Sequence, residues 1–192
     1  QGWQSEEPVE WNPADFMRLL PRRVKVSLEG RDVWIAAWQY DVHGAGGGTL
    51  PIYFLDTDLE ENDPYDRGIT QQLYGGDLTY RLRQEAVLGI GGVRMLAELD
   101  YEVKKYHMNE GHAALLTLEL LHRYKQDIES VWVEREVWNE EPGRDLCIFT
   151  THTPVEAGHD RFPDDIVQSV LDGYFPMEVL RDLGGSDQLN MT

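Results

Sequence analysis

The chain has 192 residues, 41% of them hydrophobic and 10% aromatic, which is enough for one core of ordinary domain size and too little for two full domains. Charged residues make up 27%, which argues against disorder, and the formal net charge is −18, which excludes nucleic acid and anionic membrane surfaces as partners by repulsion. Neutral sugars stay open, because hydroxyl hydrogen bonds recognise them whatever the net charge.

The single cysteine, Cys147, rules out an internal disulfide, and its place in the run Leu146-Cys147-Ile148-Phe149 suits a buried thiol better than a nucleophile. No apolar stretch nears the ~20 residues needed to cross a bilayer and no signal-peptide segment opens the chain, so the expected address is cytoplasmic. Asn190-Met191-Thr192 fits a glycosylation sequon, which carries no meaning without an export signal. The start at Gln1-Gly2-Trp3 without an initiator Met, and the stop at Thr192 without a terminal helix, point to a piece of a longer protein. The expectation is one partial domain over 1–192, with a hairpin region at 20–60 and βα units over 80–192.

In chain order, Val24, Val26 and Leu28 alternate on one face, as do Val33, Ile35 and Ala37, and Glu29-Gly30 joins the two runs. That is the pattern of a β-hairpin. A glycine-rich loop follows at 43–49, then a short strand from Pro51 to Leu55 and an acidic loop from Asp56 to Asp66. From Tyr80 to Leu99 the residues Leu82, Ala86, Ile90, Val93 and Ala97 recur at helical spacing, interrupted by Gly89, Gly91 and Gly92, each costing about 1 kcal/mol relative to Ala. Such a helix survives by packing, and the missing side chains let another backbone come close. The remaining pattern predicts a strand over Val103–His107, helices over Gly111–Lys125 and Ile128–Trp138, a strand over Leu146–Thr150, and helices over Pro163–Leu171 and Pro176–Leu183. Strands alternating with helices predict βαβ units and a parallel sheet, with the strands ending at His107 and Thr150 parallel and close neighbours.

Two strand ends carry the polar chemistry. The first runs into Asn109-Glu110-Gly111-His112, where side chains and a helix N-terminus converge, the usual place for a ligand in an open α/β sheet. The structural alternative is Asn109 as a helix N-cap and Glu110 as a favourable first-turn charge. The second strand end delivers His152 in Thr151-His152-Thr153-Pro154. The zinc-helix motif requires histidines four apart on one helical face, whereas His107 and His112 are five apart across a break, so no metal is expected. Asp56, Asp58 and Glu60 start like an EF-hand, but Glu61 and Arg67 stand where glycine and glutamate are needed. Gly44, Gly46, Gly47 and Gly48 do not make a phosphate loop, since the pattern breaks at Thr49 and a strand follows.

Taken together these phrases resemble the α-glucan (glycogen, starch, maltodextrin) phosphorylase family. They are Gly2-Trp3-Gln4, Tyr53 to Thr57, Leu73 to Asp77 with Arg81 to Glu85, His107 to His112, Thr151 to Pro154, and Asp160-Arg161-Phe162-Pro163. None is specific alone; their common order is. The glycine loop and short beginning are closest to the bacterial and archaeal branch. The resemblance implies an α/β fold, part of the N-terminal Rossmann-like half of a two-domain (GT-B type) glycosyltransferase. It implies phosphorolysis of terminal α-1,4-glucosyl units by inorganic phosphate to glucose 1-phosphate, with α-1,4-glucan and phosphate as partners and the C-terminal domain elsewhere. An oligomer is compatible with it.

By the same resemblance His152 is catalytic, contacting the glucosyl 6-hydroxyl with its side chain and the developing positive charge with its carbonyl. Asn109, Glu110, His112, Asp77 and Asp160 belong to substrate binding. The cofactor, pyridoxal 5'-phosphate, sits on a lysine in the C-terminal half, so this chain holds no cofactor-binding residue and is expected to be inactive alone. The rival readings are a glycogen or starch synthase-like glycosyltransferase, which lacks the His107 to His112 phrase, and a carbohydrate-binding module with Trp3, Trp11, Trp34 and Trp38 as a platform. Those tryptophans are more simply core or hairpin residues.

Overall fold

A computed structural model describes residues 11–73, 75–129, 134–138, 140–155, 159–184 and 188–191. Trp3 and the Gly2-Trp3-Gln4 phrase lie outside them. The alternating runs form β1 (Arg18–Leu28) and β2 (Arg31–His43), antiparallel about Glu29-Gly30. Both turn residues have positive φ, 51° and 73°, the turn geometry whose twist matches that of the strands. Val26, Leu28, Val33, Ile35 and Ala37 are all buried, so one face of this pair belongs to the core. The β1–β2 register slips between Leu19 and Arg23, around Pro21, which has no ladder donor. β3 (Thr49–Asp56) completes a sheet of order β1-β2-β3.

The acidic loop is held by its own side chains. Asp56 accepts from Trp38 Nε1 at 2.9 Å, and Asp58 pairs with Arg67 at 2.6 Å. The buried Asn62 accepts from the Trp34 amide at 2.7 Å and donates to the carbonyls of Trp34 and Thr57, both at 2.8 Å. The loop ends on α1 (Pro64–Arg67), capped by Asp63. Asp66 of α1 is buried, pairs with the buried Arg83, and takes two 3.0 Å bonds from Arg31.

The helix predicted over 80–99 is continuous but not uniform. It comprises α2 (Leu78–Ala86), a π segment (Val87–Gly91) and α3 (Gly92–Glu98). The π turn coincides with the glycines, where α4 (Leu116–Tyr124) begins: a Cβ on Gly89 would stand 2.7 Å from the Leu116 amide nitrogen and 3.0 Å from the Leu115 carbonyl carbon. Glycine here permits a backbone contact, as the sequence implied. Leu82, Ala86, Val87 and Ile90 pack with Val26, Leu28, Val33 and Ile35 of the sheet and with Leu115, Leu118 and Leu121. On another side Val93 joins Met108, Leu116 and Leu120 in a smaller apolar cluster.

β4 (Tyr106–Asn109) and β7 (Cys147–Thr150) are parallel and directly paired, with Asn109 opposite Thr150. The predicted strand at 103–107 therefore starts and ends later along the chain. In place of an uninterrupted helix from 111, a 3-10 turn (Gly111–Ala113) precedes α4. The helix predicted over 128–138 is wrong: β5 (Gln126–Glu129) and β6 (Glu134–Val137) pair antiparallel. Ile128 in β5 and Val137 in β6 are β-branched, and that preference outweighs the helical spacing.

α5 (Glu140–Leu146) and the antiparallel strands β8 (Arg161–Pro163) and β9 (Gln188–Asn190) were not foreseen, since elements this short show no period. β4–β7 is thus the one parallel pair among the described residues. α6 (Asp164–Leu171) and α7 (Met177–Gly184) lie where the pattern places them, and no helix among the described residues is long and apolar enough to cross a membrane.

Candidate functional site

The parallel register brings Asn109 and Thr150 side by side, so the residues following each strand emerge at one edge. Glu110 continues the ladder by donating its amide to the Thr150 carbonyl at 2.9 Å. Its backbone then turns through φ 60°, ψ −168°, a region sparsely populated by residues other than glycine and held only where surroundings enforce it. The carboxylate is what enforces it. Oε1 accepts the amides of His152 and Thr153, both at 2.7 Å, and Oε2 accepts the Thr151 hydroxyl at 3.2 Å. Glu110 is buried, and the His152 amide above all, with the Thr153 and Thr151 donors, pulls its pKa down to about 2. It is a carboxylate at all working pH values and ties the loop after β7 to the end of β4.

His152 is consequently fixed at its backbone and open at its ring, whose side chain is 59% exposed. Nε2 lies 2.7 Å from Asn109 Oδ1 and Nδ1 3.4 Å from Glu110 Oε1. With an amide oxygen facing Nε2, that nitrogen carries the proton. Asn109 is therefore not a helix cap, and Glu110 makes no capping bond to the 3-10 turn. His107 bonds Thr150 Oγ1 at 2.7 Å through Nε2.

A second polar cluster flanks the same turn. Arg81 and Glu85 share one face of α2, four residues apart. Arg81 Nη2 donates to Asp160 Oδ2 at 2.7 Å and lies 3.8 Å from Glu85 Oε1, while His112 Nδ1 is 3.4 Å from Asp160 Oδ2. Burial, and then the charge of Asp160, raise the Glu85 pKa to about 9. Asp160 is held from behind, its carbonyl accepting the Met191 amide at 3.1 Å. Met191 in turn presses on Gly111, where an added Cβ would stand 2.7 Å from Met191 Cβ and 2.8 Å from its carbonyl oxygen. Leu73, Arg81, Gln84, Glu85, Leu88 and His112 line an open pocket of about 250 Å³.

Of the residues singled out from sequence, the structure brings together Asn109, Glu110 and His152 in one cluster and His112 with Asp160 in the other. Asp77 is exposed and caps α2, accepting the Tyr80 amide at 2.9 Å. Reasoning from sequence missed Thr151 and Thr153 as partners of Glu110, and Arg81 as the partner of Asp160 with Glu85 beside it. The four-residue spacing of Arg81 and Glu85 was the available signal. Cys147 is half-buried rather than buried as expected, and what burial it has pushes its thiol pKa up.

No protein-family model matches the chain. It is similar to the maltodextrin phosphorylase of Thermococcus litoralis, 36% identical over the whole chain and 23% of that protein. It is also similar to the glycogen phosphorylase of Mycobacterium tuberculosis, 37% identical over 87% of the chain and 20% of that protein. The glycogen phosphorylase of Aquifex aeolicus is 29% identical over 87% of the chain and 24% of that protein. These relatives are maltodextrin and glycogen phosphorylases, and the chain is an α/β segment that matches them. It belongs to the α-glucan phosphorylase family and corresponds to a segment spanning about a fifth to a quarter of the length of these relatives.

Proposed function

We propose that the chain is part of the N-terminal Rossmann-like half of a two-domain α-glucan phosphorylase, and that it holds the terminal glucosyl unit while inorganic phosphate cleaves the α-1,4 bond. The observation that carries this reading is the pinning of the Thr151–Thr153 backbone by the Glu110 carboxylate, with Asn109 Oδ1 against the His152 ring. A strained, buried carboxylate that accepts three donors preorganises a histidine at the carboxyl ends of two parallel strands, where α/β folds place ligands. His152 offers its ring to a sugar hydroxyl and its carbonyl to the positive charge that develops as the glycosidic bond breaks, and a fixed dipole in a site closed from water stabilises that charge. Asn109 orients the ring, Glu110 positions the loop, and His112 and Asp160 belong to the wall of the same site.

Pyridoxal 5'-phosphate, which supplies a phosphate group for proton relay, is expected on a lysine outside this chain. The lysines present do not fit the group. Lys25 pairs with Asp32, Lys104 with Glu102, Lys105 with the Asp145 carbonyl, and Lys125 lies over the Trp138 ring. Phosphate, glucan and the remaining domain are the partners this reading requires.

The test is steady-state phosphorolysis by a full-length phosphorylase carrying this segment. His152→Ala should lower kcat by more than it raises KM for glucan, because the contact tightens in the transition state. An unchanged kcat would remove His152 from the mechanism.

A further inference from the structure

We propose that Glu85, His112 and Asp160 form a binding site for one divalent first-row cation, which ties α2 to the Gly111–Ala113 turn and to the start of β8. A ligand atom from each of the three residues lies within 4.8 Å of the others, close enough for one ion to touch all three. An imidazole nitrogen with two carboxylates is a donor set that suits zinc and its neighbours.

A second observation points to a ligand. Glu85 is only 3% exposed, and neither of its carboxyl oxygens has a hydrogen-bond partner. Buried carboxyl groups are normally satisfied, so an orphan one beside another carboxylate calls for something between them. A proton or a cation can fill that place, and the imidazole of His112 at the same point favours the cation. Arg81 bonds Asp160 through Oδ2. Its guanidinium then orients the ligand from outside. Glu85 and His112 also line the open pocket beside α2, which gives the ion an entry path and leaves room for a water to complete its shell.

Sequence spacing, which pointed away from metal at His107 and His112, does not bring Glu85, His112 and Asp160 together, because they come from three remote segments. The inference does not rest on the glucosyl reading, since the test uses no glucan. The 192-residue chain, freed of metal by chelation, is titrated with Zn²⁺ by calorimetry, and the zinc complex is examined by X-ray absorption. The expected result is one ion per chain and a nitrogen/oxygen shell containing one imidazole. Glu85→Gln and His112→Asn should each weaken binding about tenfold or more. Absence of stoichiometric binding, which is the outcome if a shared proton fills the gap, would overturn the proposal. So would binding that both variants retain, or a shell without imidazole. Should either variant fail to fold, the spectrum of the unaltered chain decides.

Discussion

Replacing Gly89 by Ala and Gly92 by Ala makes the same chemical change three residues apart in one helical run, and the structure demands opposite outcomes. Both remove a glycine that costs about 1 kcal/mol in a helix interior. At Gly92 the backbone is helical (φ −61°, ψ −46°) and the new methyl meets only Leu55 Cδ1 at 4.0 Å, an ordinary contact. The gain there should be about 0.5–1 kcal/mol. At Gly89 the methyl would stand 2.7 Å from a backbone nitrogen and 3.0 Å from a backbone carbon of the Leu115–Leu116 turn, which cannot rotate aside as a side-chain tip can. Overpacking costs about 1–3 kcal/mol, and contact with backbone belongs at the upper end, leaving a net loss of about 2 kcal/mol after the propensity gain. For a chain of this size 1 kcal/mol corresponds to about 2–4 °C, so Gly89→Ala should lower Tm by about 4–8 °C and Gly92→Ala should raise it. Thermal and urea unfolding followed by far-UV circular dichroism measure both. A Gly89→Ala chain as stable as the parent would mean that the π segment does not rest on the start of α4, and the reasoning about this helix would fall.

Asp66→Ala strands the buried Arg83 without its carboxylate and should cost about 3–5 kcal/mol, read as a lower urea midpoint with unchanged m-value. Glu110, with its folded pKa depressed to about 2, contributes stability that is complete above the ordinary carboxylate range and is lost as pH falls towards 2. The gap in urea midpoint between the parent and Glu110→Gln should therefore be widest near neutrality and close on acidification; a gap independent of pH would deny the carboxylate its role. The 192-residue chain alone, given maltodextrin, phosphate and pyridoxal phosphate, should release no glucose 1-phosphate, because holding one reactant without the other forfeits a proximity term of up to about 7–11 kcal/mol. Enzymatic detection of that product would overturn the reading that catalysis needs the rest of the family enzyme.

Much of this protein was legible in its residues. The alternation of Val24 to Leu28 and Val33 to Ala37 marks the buried face of β1 and β2, because side-chain direction reverses at every residue of a strand whatever the strand pairs with. Of the glycines at 89, 91 and 92, Gly89 makes the close backbone approach that the run announces, and the polar residues after Met108 and Thr150 mark two strand ends. These are local properties, set by dihedral preference and by one element's contact with a core. What lay beyond reach was whatever depends on atoms brought from afar. Ile128 and Val137 fit a helix or a strand pair equally until their pairing is known. Asn109 and Glu110 read as a cap and a first-turn charge until β7 supplies His152, Thr153 and Thr151 as their partners. Glu85 looks like an ordinary helix-surface carboxylate until Asp160 and the surrounding core close over it. Periodicity reports whether a face is buried, but a carboxylate's charge and strain depend on which donors and which neighbouring charges tertiary packing sets within about 4 Å of it, and only the folded chain decides those.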